Sequence, residues 1–373
     1  MTTAHAMSVT GPVPVHDLGI TLMHEHLFID LGYRYEPPST GEDPRSLEFG
    51  KRREAWLCNP RGDLHNLVRP ELDDALDELA HFRQHDGDTI VDVTTEGIGP
   101  NRAGLRAASE RSGVTIIAST GYYTHETHTR QLHDANREQL AEEMQRDLLE
   151  GDESGVRSGF IGELGVDAFE PCEIEVVCAA ALAQQRTGAS VGIHTLAGAI
   201  PQVRPHVVKL VRAFMDVGGD PTRLILYHQD GTGDDPVYQA TLLREGVVLS
   251  YDTFGFETSF THASAPVRLP SDDRRVREVL DLWLRGAGHQ LVLSQDVCYR
   301  MMTRRAGGWG IAHVLERNRP QFEMAGLSTS EWRQMVELTP RRLLTIDGLD
   351  EAQPTLSSTA SATTSTSASS SSG

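Results

Sequence analysis

Six residues able to bind a divalent cation recur at one kind of place in this chain, at or near the end of a short β-rich run. His24 and His26 close the run Gly19-Ile-Thr-Leu-Met-His-Glu-His26, Glu163 stands in Gly159-Phe-Ile-Gly-Glu163-Leu-Gly, and His194, His228 and Asp296 end three others. Side chains on a strand alternate between faces, so two histidines separated by one residue point the same way, with room for a cation between their imidazoles. A first-row metal takes three or more ligands, and the other four residues supply them. Four imidazoles and two carboxylates are too many for one tetrahedral ion and suit two. We therefore expect His24, His26 and Asp296 to hold one metal, His194 and His228 to hold the other, and Glu163 to bridge them. Zinc is the first expectation for mixed nitrogen and oxygen ligands, with manganese, cobalt and iron as alternatives.

The expected chemistry is hydrolysis. Metal binding lowers the pKa of water from about 15.7 to about 7, so a hydroxide shared by two cations is available near neutral pH and no serine or cysteine nucleophile is needed. The second metal polarises a carbonyl or phosphoryl oxygen of the substrate, and Asp296 accepts the proton as attack proceeds, which makes it the expected catalytic residue. Tyr122 and Tyr123, at the end of a third run, are expected to bind substrate, and Asp252, beyond a seventh, to line the mouth. His125 and His128, in Thr124-His-Glu-Thr-His128, either belong to a substrate loop or merely decorate it. His81 and His85, four apart on a charged helix, are expected to be solvated.

Eight runs can position such a set: 20–27, 89–95, 115–122, 159–166, 190–195, 224–230, 246–251 and 289–296. Helical patterns separate most of them. Residues 71–82 put Leu72, Ala75, Leu76, Leu79 and Phe82 on one face and Asp73, Asp74, Asp77 and Glu78 largely on the other. Further helices are expected over 103–112, 136–149, 173–185, 207–215, 235–243, 272–284 and 330–343, and Pro70 and Pro171 suit helix starts. Strands alternating with helices imply a parallel sheet, and a count of eight implies an α/β fold closed into a (β/α)8 TIM barrel, with the working residues at the C-terminal ends of the strands. A doubly wound open sheet would want a glycine-rich phosphate turn after the first strand, where His-Glu-His stands instead. Residues 32–69 read as an insertion over the first strand's exit. One barrel domain is expected over 1–350. Residues 351–373 form a Ser/Thr-rich segment too poor in apolar bulk to fold, and are expected to be a disordered tail.

The 373 residues carry a formal charge of -19, which repels phosphate backbones and anionic headgroups and so argues against nucleic acid and membrane as partners. A small-molecule substrate is expected instead; a homodimer is compatible with the composition. Four cysteines without a CxxC pair, and a start with neither a basic nor an apolar leader pattern, suit the cytoplasm.

These residues resemble the phosphotriesterase family of the amidohydrolase superfamily. Gly19-Ile-Thr-Leu-Met-His-Glu-His26 is similar to its first-strand signature, Leu293-Ser-Gln-Asp296 to its eighth, and Gly307-Gly-Trp-Gly310 with His313 to the segment that follows. Gly11-Pro-Val-Pro14 and Thr339-Pro-Arg-Arg342 fit its two ends. The resemblance implies a barrel with two metals. It also exposes a departure: family members known for phosphotriester and lactone hydrolysis bridge their metals with a carboxylated lysine on the fourth strand, and the only lysines here are Lys51 and Lys209. Gly159-Phe-Ile-Gly-Glu163-Leu-Gly instead resembles the phosphotriesterase-related subgroup, in which glutamate bridges. Glu163 stands one residue later than the lysine would, so the strand must bulge or bend to aim it inward. After His228, Gln229-Asp-Gly-Thr-Gly-Asp234 departs from the family's acidic run, and no proton relay is carried over beyond Asp296. The subgroup implies esters, lactones, N-acyl amino acids or organophosphates as substrates.

Three rivals remain. A TatD-like metal-dependent deoxyribonuclease shares HxH and a Gly-Glu-Ile-Gly-like strand, but the acidic charge opposes it. An adenosine-deaminase-like reading wants an acidic residue where Ala197 stands. A non-catalytic metal-binding barrel would keep the ligands without the reaction.

Overall fold

The computed structural model describes residues 4–38, 41, 43–257, 259–262 and 265–346, so the expected tail at 351–373 lies outside the described residues. Eight strands form one sheet: β1 (Thr21–Glu25), β2 (Thr89–Asp92), β3 (Thr115–Thr120), β4 (Phe160–Val166), β5 (Val191–Thr195), β6 (Leu224–Leu226), β7 (Val248–Tyr251) and β8 (Leu291–Leu293). Neighbours in sequence are neighbours in the sheet, from β1 at one edge to β8 at the other, and every pairing is parallel. The chain forms the expected (β/α)8 TIM barrel.

The seam between β8 and β1 is closed by side chains. The His24 amide donates to Ser294 Oγ (3.3 Å), while buried Glu25 accepts from the Gln295 amide (2.9 Å), the Gln295 side chain (2.8 Å) and the Val297 amide (3.2 Å). Burial lifts the Glu25 carboxyl to about 7 against the pull of these donors.

Helices α1 (Leu72–Gln84), α2 (Arg102–Ser112), α3 (Arg137–Leu149), α4 (Pro171–Thr187), α5 (Arg204–Asp216), α6 (Pro236–Arg244) and α7 (Asp272–Leu284) cover the sheet. Local chemistry sets their ends: α4 starts on Pro171 with a Glu170/Glu173 capping box and stops at Gly188, whose φ is +72°. The helix expected over 330–343 is instead three pieces, Thr329–Arg333, a wide π turn at Gln334–Leu338, and Thr339–Leu344. Pro340 has no amide hydrogen to continue the ladder.

Two apolar layers result. Inside the barrel, Met23, Val91, Ile117, Phe160, Ile225, Tyr227, Val248 and Val292 pack together, closed at the N-terminal end by Ala6, Leu18, Leu343 and Leu344. Outward-facing Leu22, Ile90, Ile116, Leu226 and Leu249 pack in a second layer with helix residues such as Leu79, Phe82, Val177 and Val211.

The charged face of α1 departs from expectation. Asp74 and Glu78 are buried: Asp74 pairs with Arg300 (2.6 Å), and Glu78 accepts the amides of Arg304 (2.7 Å) and Ile311 (3.0 Å). The segment after β8 therefore lies over α1, and His81, expected in solvent, is covered by it, 3.5 Å from Glu316. Residues 32–69 leave and return through a short antiparallel pairing of Ile29–Asp30 with Val68–Arg69. Among the described residues no helix is long and apolar enough to cross a membrane.

Candidate metal centre

The six sequence-derived ligands converge at the C-terminal mouth of the barrel, and local irregularities aim several of them. The β1–β2 register slips between Leu22 and Glu25, and the β4–β5 register slips between Ile161 and Leu164. Within the second slip Gly162 has φ +107°, and a Cβ there would collide with the Gly192 carbonyl oxygen, so only glycine lets β4 turn Glu163 inward. His228 and Asp296 lie past the ends of β6 and β8 with φ of +56° and +49°, a left-handed conformation that costs a non-glycine residue about 1–3 kcal/mol. Hydrogen bonds hold the first of these, since the His228 amide donates to Asp252 Oδ1 (3.0 Å).

Glu163 is the hub. Its Oε1 lies 3.3 Å from His26 Nε2, and its Oε2 lies 3.1 Å from His194 Nδ1, 3.6 Å from His24 Nε2 and 3.9 Å from His228 Nε2. Asp296 Oδ1 stands opposite, 3.4 Å from His26 Nε2 and 3.7 Å from His24 Nε2. Three overlapping triads here could hold a metal: His24–His26–Asp296, Glu163–His194–His228 and, behind them, His24–His228–Asp252.

The tautomers test whether cations fit. His24 Nδ1 donates to Asp252 Oδ2 (3.0 Å), His228 Nδ1 to Asp252 Oδ1 (2.8 Å), and His194 Nε2 to Asp167 Oδ1 (3.1 Å). His26 Nδ1 donates to Thr94 Oγ1 (2.8 Å), whose own proton goes to the Phe28 carbonyl (3.0 Å). Each ring nitrogen left over is a lone pair turned toward Glu163 and Asp296. His24 Nε2 is buried with no hydrogen-bond partner, and His228 Nε2 faces His194 Nδ1 at 2.8 Å. Acceptors facing acceptors at such range repel unless positive charge stands between them, and a pair of divalent cations fits this donor set.

The electrostatics agree. Burial pushes the His26 imidazole down, yet the Asp296 and Glu163 carboxylates facing its Nε2 outweigh burial and raise it to about 10, so in the absence of a cation that nitrogen draws a proton. His228 is likewise raised to about 10, with Asp252 overcoming burial. Burial opposes the Glu163 charge, but His24 and His194 hold its carboxyl well below the usual range. The pocket demands positive charge, which two metals supply.

Behind the ligands stands a layer that sequence reading missed. Asp252, expected at the mouth, is fully buried beneath it, orienting His24 and His228. Its amide donates to Asp230 Oδ2 (3.0 Å), and Asp230 pairs with the fully buried Arg275 (2.9 Å). Asp167 links His194 to Arg34 Nη2 (2.9 Å). Position carried a signal for Asp252 and Asp167, since each directly follows an apolar strand end; Arg34 comes from the insertion and carried none.

A cavity of about 90 Å³ opens over the centre, lined among others by Arg34, Tyr123, Phe256, Leu269, Cys298 and Tyr299. Tyr123 enters it, its hydroxyl 3.4 Å from His194 Nδ1. Tyr122 does not: its hydroxyl turns away to donate to Glu143. The reason is strand alternation, which sends adjacent tyrosines to opposite sides. His125 and His128 lie behind Tyr123, against α4, outside the cavity lining.

Paired histidine–carboxylate triads at the C-terminal mouth of a (β/α)8 barrel define a metal-dependent hydrolase. Comparison with known proteins agrees: a profile of the phosphotriesterase family matches residues 5–344. A phosphotriesterase-related protein of Nematostella vectensis is 31% identical, covering 92% of this chain and 99% of its own length. An N-acetyltaurine hydrolase of Danio rerio is 30% identical, with 91% and 97% covered. Among solved structures, a resiniferatoxin-binding protein from Rhodobacter sphaeroides superposes with a TM-score of 0.85 at 33% identity, over 91% of this chain and 95% of that one. The chain belongs to the phosphotriesterase family.

Proposed function

We propose that the chain hydrolyses an N-acyl amide or related small ester whose other end is acidic, using two zinc ions held by His24, His26 and Asp296 on one side and by His194 and His228 on the other, with Glu163 between them. The observation that carries this reading is the convergence of four imidazole lone pairs on Glu163 and Asp296. When bound, the metals supply a water acidified toward neutrality and polarisation of the substrate's oxygen.

The chain's own residues do the rest. Asp296, 3.4 Å from His26 Nε2 and partly exposed to the cavity, accepts the proton of the attacking water. Tyr123 Oη orients the substrate's acyl oxygen beside His194. Ile29, Leu31, Phe256 and Leu269 exclude bulk water, which strengthens every charge interaction in the site. Among the described residues lining the cavity Arg34 is the one arginine or lysine, so it receives the acidic end. Its guanidinium, raised well above its ordinary value, is held over Tyr33 and Tyr123 at 5.3 and 5.6 Å.

The relatives named N-acetyltaurine hydrolases support this choice, because N-acetyltaurine is an amide that ends in a sulfonate. The net charge of -19 argues for a small substrate over nucleic acid. Four free cysteines suit the reducing cytoplasm, and a homodimer is compatible with the proposal.

The test is a hydrolysis panel at two metals per chain: an N-acyl taurine, an N-acyl amino acid, a lactone, an aryl ester, a phosphotriester and single-stranded DNA. The acidic N-acyl substrates should show the highest kcat/KM. Cleavage of DNA alone would favour the deoxyribonuclease, and no cleavage of any substrate would favour a binding barrel. Asp296→Asn should lower kcat about 10²–10⁴-fold with little change in KM; a change confined to KM would remove its role as proton acceptor.

A further inference from the structure

We propose that His128, His133 and Cys172 form a separate binding site for one zinc-like cation, which braces the wall of the main cavity from behind. After β3 the chain passes Tyr123 and docks on the first turn of α4. His125 makes the first anchor, its amide and its Nδ1 both donating to Glu173 Oε1 (3.1 Å each). Three residues on, His128 donates its Nε2 proton to the Tyr123 carbonyl (2.8 Å). That bond leaves Nδ1 as a lone pair, and Nδ1 is buried with no hydrogen-bond partner.

Around this imidazole lie His133, its ring centroid 5.6 Å away, and Cys172, at the second position of α4. The ligand atoms of the three side chains lie within 4.8 Å of one another. In a tetrahedral zinc site such atoms stand roughly 3.5 Å apart, so modest side-chain rotation gathers the set. Two imidazoles and a thiolate are a zinc-type donor set, and the thiolate sets it apart from the oxygen-rich main centre.

The imidazole is ready to ligate, whereas the thiol must give up its proton to do so. Burial keeps the His128 imidazole below its ordinary value, in the neutral form that ligates. Burial pushes the Cys172 thiol up, so it holds its proton until a cation displaces it: the S–H bond breaks, the S–metal bond forms, and the proton leaves to solvent. A neighbouring cavity of about 380 Å³, lined by His133, Cys172, Glu170 and Glu175, leaves a fourth position open to water or a carboxylate. His128 is bonded to the Tyr123 carbonyl, so a cation here fixes the backbone that presents Tyr123 to His194.

The experiment uses the full chain loaded with cobalt or with zinc. The cobalt form should show a thiolate-to-cobalt charge-transfer band in the near ultraviolet. Cys172→Ser and His133→Ala should each lose the band and bind one zinc fewer per chain than the parent, with melting curves confirming that both fold. Cys298→Ser, which removes the thiol lining the main cavity, should keep the band, as should Glu163→Ala, which disables the main centre. Equal zinc content in the parent and Cys172→Ser, with no cobalt–thiolate band, would overturn the proposal, because the thiol would then only hydrogen-bond to an imidazole. A band that disappears with Cys298→Ser instead would overturn it as well.

Discussion

The two ends of the barrel are built from the same eight strands and do opposite work. At the N-terminal end Met23, Ile117, Phe160, Ile225 and Val292 fill the interior, and Leu18, Leu343 and Leu344 close it with apolar surface. One residue beyond Met23 stands His24, and one beyond Tyr227 stands His228. Tyr227 marks the boundary, its hydroxyl donating to the Met23 carbonyl (3.1 Å) while its ring lies 4.2 Å from that of His24. Below it, burial of apolar side chains stabilises the fold without positional demands on charge. Above it, buried imidazoles and carboxylates would each cost several kcal/mol unpaired; Asp252, Asp167 and Thr94 satisfy one nitrogen of each imidazole, and the nitrogens left over are placed to take cations. Stability and chemistry are therefore separable along one axis.

Glu163→Ala should break that contrast most severely from the upper side. Bound metal should fall by at least one per chain relative to the parent by elemental analysis, and activity should drop by more than the about 10–100-fold that loss of a supporting partner costs. Retention of both metals and activity would remove Glu163 from the bridging position. From the lower side, Phe160→Ala should destabilise the fold by about 3–5 kcal/mol in denaturant titrations. The protein that stays folded should bind metal as the parent does; if it does not, the ends are coupled and the separation fails.

Asp252→Ala sharpens the comparison, since it leaves every ligand in place and removes only what orients His24 and His228. Metal affinity, measured by chelator competition, should weaken about 10–100-fold, with activity recovering in excess metal. The smallest effect concerns the outer wall of the mouth, where Asp272 accepts from His313 (2.7 Å), Asn318 (2.9 Å) and the Gly255 amide (2.8 Å). Burial opposes its charge, but these bonds and Arg275 hold its carboxyl well below the ordinary value of 3.8. With the folded value below the unfolded one, the stabilisation is fully present above pH 3.8 and is lost as pH falls toward the folded value. Asp272→Asn should lower the melting temperature modestly at neutrality, where the stabilisation is present, and flatten its further fall below pH 3.8.

Much of this was legible in one dimension. All eight strands fall where apolar runs predict them, but several end sooner than the runs do: the run at 224–230 yields only Leu224–Leu226, and that at 289–296 only Leu291–Leu293. The lost residues are the ones that turn out of the ladder to present His228 and Asp296 in left-handed conformations. The need for a bend at Glu163 was readable from its offset, and Gly162 supplies it. Tyr122 was misplaced because two adjacent tyrosines at a strand end carry equal signal, and only the tertiary surroundings choose which faces the centre.

By itself the sequence determined which residue types stand at which strand ends, and through hydrophobic periodicity, which acts over a few residues, the class of fold that gathers them. The tertiary structure alone decided what supports them. Asp252 reaches two histidines, His24 and His228, which stand 228 and 24 residues before it in the chain, and Arg34 enters the cavity from an insertion. Such contacts join positions far apart in sequence, set by barrel closure and by the packing of loops over its mouth, and no local pattern records them.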